Sequence, residues 1–503
     1  MSRLANFFGF AEPNDKIMRM ARLMIVFLPI ISVTFMLSTT FYVIFIAEAL
    51  GSGDFMQGMG LVGILVVIQM TVQTVFDYPT GGLGDWLGQR YIVSSAFILY
   101  GVSFYMVSLV TSSTPFLFLV AIYALQGFAS AQESGAFGAW FDNNYRVAMP
   151  EDTDRKQYGV FQGRIGMVFG IVATLSLIPG SILAVLFQRA WVFQLQAVLS
   201  VVLAIAVFKY VVDFPEVREA REKRPSTSEY LSILKSGVNF LFGDKFIKYL
   251  IIGGMLTISS IIVWGNLILF PFYYSYLVTD VAVASYRTLL FLPGVASQER
   301  SGVWSKRFEP TKWIPRFRFL QTCGFLFFGI LAAITYFFPP ALPGAPTIEV
   351  IWPFTDLVIA SIPQQSVIPI TLAFITFVAT SFFGGFAEIL TQRMLLDVIP
   401  NRIRNSIYSL IPTVAIVFAI PQIALFGMLV PIYGFPLTLT GIAVVSFVGV
   451  LLIRHGLAQP KPVPTEDTWA APSTESDALG DVSSEESAET WPAEVFDDKP
   501  TEE

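Results

Sequence analysis

Residues 75–93, VFDYPTGGLGDWLGQRYIV, follow twenty residues without a charge and then set Asp77, Asp85 and Arg90 among Gly81, Gly82, Gly84 and Gly88. Carboxylates and a guanidinium at this spacing can pair with one another or face the ends of neighbouring helices, while the glycines allow close backbone approach and a tight turn. Gln69, Gln73 and Asp77 recur at intervals of four and so share one face of a helix, which should line a cavity; Pro79 follows them. Such groups hold, gate and contact a ligand. Covalent chemistry is a poor fit: the chain has one histidine, His455, and one cysteine, Cys323. Zinc hydrolysis, a Ser-His mechanism and disulfide formation within the chain therefore have no candidates, and no Gly-Lys-Ser or Gly-Lys-Thr phosphate loop offers an ATP site. We expect no cofactor, no metal and no enzyme activity, and Cys323 should be a small buried side chain.

Other polar groups stand inside apolar stretches, where an ionisable side chain is costly unless pairing or function supports it. Glu133 and Arg164 fall at similar expected depth, roughly 10–12 Å from one membrane face at 1.5 Å per residue, and are expected to pair. Glu388 marks another apolar stretch. Gln126, Trp264, Asn266 and Tyr273, like Gln69 and Gln73, are candidate cavity-lining residues.

The elements that must position these groups follow from composition. The chain has 503 residues, of which 54% are hydrophobic, 15% aromatic and only 14% charged. No water-soluble domain of this size shows that balance, so the chain is an all-α polytopic membrane protein in the lipid bilayer. A charge at mid-bilayer costs roughly 2.5–3.5 kcal/mol, so the charge-free runs mark the spans. There are nine such runs, 23–47, 55–76, 91–132, 165–188, 190–208, 249–279, 319–348, 357–387 and 405–453, and two are long enough for two helices each, giving eleven spans. A twelfth, near 281–299, is weakened by Arg287 and Glu299. With it, and with the N-terminus inside, 29 of the 31 basic residues fall on the cytoplasmic side, and only Arg189 and Arg287 lie outside. Without it that segregation collapses, so twelve spans are expected.

The spans divide six and six around a polar stretch. We read 1–22 as a cytoplasmic N-terminal segment, 23–212 as the first six-helix bundle, 213–244 as a cytoplasmic linker, 245–454 as the second bundle and 455–503 as a disordered acidic tail. That tail holds 13 acids and two lysines, which accounts for the net charge of −6. The loop 338–365 has no Lys or Arg and should lie outside, with Trp352 and Phe354 at the interface.

The spacing Gly81, Asp85, Gly88, Arg90 resembles the loop signature between helices 2 and 3 of the major facilitator superfamily. FDYPTGGLGD is similar to the acidic, any residue, Pro-Thr-Gly variant of its prokaryotic members. QGFASAQESGAFGAWFDNNY, ending near Asp142, and LLDVIPNRIRNSIYSL, with Pro400 and Arg404, are similar to further family motifs, and the three together cover both halves. The resemblance implies two six-helix bundles, alternating access, and an inner gate in which Asp85 engages helix 11, with Asp142, Pro400 and Arg404 as gate partners. Trp86 and Gln89 replace the usual basic residues, and Tyr123 stands where proton-driven members carry an arginine before Gln126 and Gly127.

The expected function is secondary active transport of a small solute, with efflux of a neutral or amphiphilic compound favoured by the abundance of Phe, Met and Trp and the scarcity of buried basic residues. A proton or cation is the expected coupling partner, the chain is expected to act as a monomer, and no nucleic acid is involved. A lipid flippase or a sensor on the same fold, and more remotely an intramembrane enzyme, are the alternatives. The expected location is the plasma membrane of a bacterium or archaeon, with both termini cytoplasmic. In a Cys323→Ser background, Lys235→Cys and Ala345→Cys should react with an impermeant reagent from opposite sides of the membrane. Labelling of both from one side would remove the twelve-span topology.

Overall fold

Lipid offers backbone N–H and C=O groups no hydrogen-bond partner, so a chain this apolar must satisfy them within helices. The computed structural model describes residues 3–10, 12–152, 156–221, 240–294, 304–399 and 401–462. The first half holds α1 (Arg3–Phe8), α2 (Asp15–Met36), α3 (Tyr42–Leu50), α4 (Phe55–Leu87), α5 (Gln89–Ser108), α6 (Phe116–Ala148), α7 (Lys156–Phe187) and α8 (Arg189–Tyr210). A short α9 (Pro215–Arg221) opens the linker. The second half holds α10 (Lys245–Val263), a π-helical turn at Trp264–Ile268, α11 (Leu269–Leu277), α12 (Asp280–Leu289), α13 (Pro310–Leu320), α14 (Phe325–Phe337), α15 (Val367–Val398) and α16 (Asn401–Leu457).

Ten helical segments are long and apolar enough to cross a bilayer. The last contains two crossings, because Gly434 adopts φ 69° and ψ −173° inside α16 and the chain doubles back there. A Cβ on Gly441 would meet the Phe426 ring at 2.7 Å, the contact of two antiparallel arms about that glycine. Among the described residues this gives eleven candidate crossings, and α12 lies at the place where charges weaken the hydropathy of the expected twelfth. The second half also carries a feature that composition did not foresee, an antiparallel hairpin of β1 (Thr347–Ile351) and β2 (Val358–Pro363) in the loop before α15.

The turn in the opening stretch is tighter than its glycine content suggests. Helix α4 runs through Pro79 to Leu87, so Gly81, Gly82 and Gly84 belong to its last turns, and reversal falls on Gly88 alone, at φ 111°. A side chain there would be strained. The tail boundary also moves: α16 continues three residues past 454 to Leu457, and 463–503 lies outside the described residues, as does most of the linker, 222–239.

Helix ends gather at two faces. On the terminal face, Asn14 Nδ2 donates to the Ala148 carbonyl, the Phe8 ring sits 4.7 Å from Phe161, and Tyr249 meets His455 at 4.7 Å. Lys16 donates to Glu216 at 2.5 Å and holds that exposed carboxyl below its ordinary range, a contact present above the carboxylate range and lost as pH falls through it. On the distal face lie the ends of α3 and α11, the starts of α8 and α12, and Gly434.

The apolar core is not divided evenly between these faces. One large cluster joins both halves on the distal side, bringing Phe41, Met59 and Phe193 together with Trp264, Leu267 and Phe426. Towards the terminal face there are two separate clusters, one built only from residues 5–217 and the other only from residues 241–453. Among the described residues the halves are therefore joined distally and have separate apolar clusters at the terminal face. A close backbone contact between them is Gly63 of α4 against Gly427 of α16: a Cβ on either would stand 3.0–3.1 Å from the other's Cα. Close backbone approach of this kind is how small residues let membrane helices pack.

Gly427→Val should therefore lower stability by about 1–3 kcal/mol in a detergent melt, as overpacking against backbone does. Gly254→Ala, where nothing lies within 4 Å, should be neutral or stabilising. Equal melting temperatures for Gly427→Val and the parent protein would refute the close approach.

Candidate functional site

The distal closure is fastened by charge. Gln188, at φ 74°, turns the chain from α7 directly into α8, so Arg189 becomes the first residue of that helix. A cation at a helix N-terminus opposes the helix dipole, as does Glu48 in the last turn of α3, whereas Asp280 in the first turn of α12 agrees with it. The two misplaced charges are met by their partners. Arg189 Nε donates to Asp280 Oδ2 at 2.7 Å and Nη2 to Oδ1 at 2.8 Å, while Nη1 donates to Glu48 Oε2 at 2.6 Å. Nη2 also donates to the Tyr274 hydroxyl at 3.2 Å, and the guanidinium lies 5.8 Å from the Phe41 ring and 5.5 Å from that of Tyr274.

The three charged side chains are largely covered, with 17% of Arg189, 29% of Glu48 and 7% of Asp280 exposed. A bidentate guanidinium–carboxylate pair is among the stronger polar contacts, and removing one member of a buried pair costs about 3–5 kcal/mol. Here the bidentate pair joins the halves, Arg189 in the first and Asp280 in the second. A second polar contact between halves lies deeper, where Thr288 of α12 donates to the Thr174 carbonyl of α7 at 3.2 Å. Beside it a cavity of about 360 Å³ lies between the two helices, lined by Thr174, Ser285, Thr288 and apolar side chains.

The residues singled out in the sequence distribute differently. Asp77 accepts a hydrogen bond from Ser134 Oγ, and Thr80 donates to the Ala131 carbonyl at 2.9 Å, so this stretch zips α4 to α6. Arg90 stacks on Tyr91 and Phe208, at 4.6 and 5.5 Å. Asp142 pairs with Arg146 one turn along its own helix at 2.8 Å. Pro400 and the side chains of Asp85 and Arg404 lie outside the described residues.

The expected Glu133–Arg164 pair is not formed. Among the described residues no hydrogen bond or ion pair joins them; Arg164 is exposed and lies 5.6 Å from the Phe7 ring. The reason is α1, an element the sequence reading left without structure, which packs on α7 and offers that ring. Glu388 does have a partner, Arg318, whose Nη2 donates to it at 2.9 Å. Arg318 falls among loop charges in the sequence, yet only 5% of its side chain is exposed, and its Nε has no partner among the described residues.

Of the cavity candidates, Gln69 and Gln73 are half-buried on α4, and Asn266 is exposed on the π-helical turn beside Gly265, which nothing approaches within 4 Å. Extra residues of this kind in a helix often mark functional sites. Gln126 is buried and accepts from the Tyr42 hydroxyl at 3.0 Å. Trp264 and Tyr273 are corrected: both are buried, in a nest of rings with Phe272, Phe327 and Phe328, and pack the core instead of lining the opening. Sequence reasoning missed the Glu48–Arg189–Asp280 group. A signal was present, since Arg189 is one of two basic residues that break the charge segregation.

Residues 23–362 match the family model described as Major Facilitator Superfamily. No curated protein sequence matches the chain. Among solved structures, the nucleoside transporter NupG superposes with a TM-score of 0.62 at 14% identity, covering 87% of this chain and all of that one. A D-xylose-proton symporter gives 0.57 at 11%, covering 86% and 97%. The inward-open xylose transporter XylE from E. coli gives 0.58 at 10%, covering 89% and 98%. With a family model matched across most of its length and the fold of the transporters above, the chain is a member of the major facilitator superfamily.

Proposed function

We propose that the chain is a secondary active transporter that moves a small solute by alternately exposing the space between its two halves. The observation that carries this reading is the division of the core: a single cluster spans both halves distally, and each half has its own cluster at the terminal face. A bundle with one joined and one parted end can exchange them by rocking about its middle. The Arg189–Asp280 pair is the distal latch in this reading, and Asp77, Asp85, Arg90, Asp142, Pro400 and Arg404 close the terminal side in the opposite state. The embedded charges Glu133 and Glu388 face the path of a coupled proton or cation.

The segregation of basic residues supports a cytoplasmic terminal face with residues 213–244 as the cytoplasmic linker, and the motif resemblance favours a bacterial or archaeal plasma membrane. Among the described residues the one deeply buried guanidinium of the second bundle, that of Arg318, is already met by Glu388, which argues against an anionic solute. Gln69, Gln73 and Asn266 offer amide contacts to a neutral one. The named solutes of the structural neighbours, nucleosides and D-xylose, are also uncharged, and the wealth of rings supports an amphiphilic compound and hence export. Reconstitution into liposomes tests this. A panel of labelled neutral solutes should include one that exchanges across the bilayer, and Asp280→Asn should slow that exchange at least tenfold by releasing the distal latch. Movement of labelled lipid between leaflets without solute exchange would replace transport with lipid flipping, and movement of neither would point to sensing.

A further inference from the structure

The hairpin before α15 has one strand supported and one open. β2 rests on α11 and α12, and its Ala360 belongs to the distal core. β1 is exposed at every residue, and among the described residues no third strand pairs with it. An open sheet edge does not occur in hydrocarbon, where its N–H and C=O groups would find no partner, so β1 stands in water on the distal side. Natural sheets blunt such an edge with lysine or proline, or cover it. Thr347–Ile351 contains neither residue, and Ile348 and Val350 leave 46% and 43% of their surface open.

The register shows which groups are free. Thr347 faces Pro363, Ile348 faces Ile362, Glu349 faces Ser361 and Val350 faces Ala360, with an irregularity only beyond Val350. Bonded and non-bonded pairs alternate along an antiparallel ladder. Gln364 donates its N–H to the Pro346 carbonyl at 2.9 Å, one step before Thr347, and Pro363 has no N–H to give. The ladder bonds therefore belong to Ile348 and Val350, and the N–H and C=O groups of Thr347 and Glu349 point outward. Side chains alternate with the same period, so Ile348 and Val350 share the face of buried Ala360 and Glu349 lies on the other. Residues 338–365 include Glu349 and Asp356 but no Lys or Arg, so the loop supplies these carboxylates with no counter-charge of its own.

We propose that β1 is a docking edge for an extended segment of another protein on the distal side, which adds to the hairpin as a third strand. The outward backbone groups of Thr347 and Glu349 supply the new ladder. The register specifies the segment: apolar side chains beside Ile348 and Val350, alternating with basic ones beside Glu349. A second copy of this chain is a poor occupant, because antiparallel pairing of two β1 strands brings their Glu349 carboxylates together with no base between them.

The probe is a fluorescein-labelled peptide alternating valine and lysine, titrated by anisotropy against the full-length Cys323→Ser protein in nanodiscs of zwitterionic phosphatidylcholine. Saturable binding that weakens with salt is expected. Glu349→Pro removes an outward N–H and leaves the ladder bonds of Ile348 and Val350, so the hairpin persists while binding weakens about tenfold or more. Glu349→Gln keeps that N–H and should weaken binding only about threefold, with most of the salt dependence gone. N-methylation of the peptide at one set of alternate residues should abolish binding, and at the other set should not. Absence of saturable binding to the parent, or equal binding to the parent and Glu349→Pro, would overturn the proposal. Two further results would also overturn it. Spontaneous disulfide-linked dimers of Thr347→Cys in the Cys323→Ser background would give the edge to a second copy, and quenching of a fluorophore on Ile348→Cys by doxyl-labelled lipid would put it in the membrane.

Discussion

A guanidinium at the edge of a bilayer core is stable only where its charge is met, and in this protein Arg189 is met from both halves at once. That requirement organises the distal face. It places the end of α3 and the starts of α8 and α12 around one cation, and it seats Tyr274 and Phe41 as walls. The Gly63–Gly427 contact then becomes possible, because helices drawn together at their ends can touch backbone to backbone along their sides.

The same chain shows how a membrane protein can be firmly held and still have two states. Apolar packing between helices gains little over packing against lipid, so polar contacts and close-fitting small residues decide which ends meet. Distally both are present. At the terminal face, each half is internally complete. The first has Asn14 on Ala148, the α1 rings on Phe161 and Asn144 on Asp213; the second has Arg318 on Glu388 and Tyr249 on His455. Among the described residues these contacts stay within one half each, so parting the terminal ends leaves them intact.

Local chemistry was most legible where residue type narrows the choices. A glycine-rich reversal between α4 and α5 was legible, though not that Gly88 alone of four glycines would make it, and Cys323 was legible as a small buried side chain. Pairing partners were far less legible. Arg164 was expected on Glu133 from depth alone, but depth says nothing about azimuth around a helix, and an aromatic ring of α1 took the cation. Arg318 was counted with loop charges because hydropathy registers its neighbours and not its burial. Trp264 and Tyr273 carry polar atoms that could contact a ligand, yet their ring area is worth more in the core than at an opening.

By itself the sequence determined the membrane class and the apolar helical spans. Each follows from the cost of charge in lipid, and that cost is read one segment at a time. Which face is fastened, which carboxylates share a cation and which polar side chains look into open space were decided only by the tertiary structure. Those outcomes depend on how helices distant in the chain are rotated and brought together, and a hydropathy pattern carries no record of that rotation.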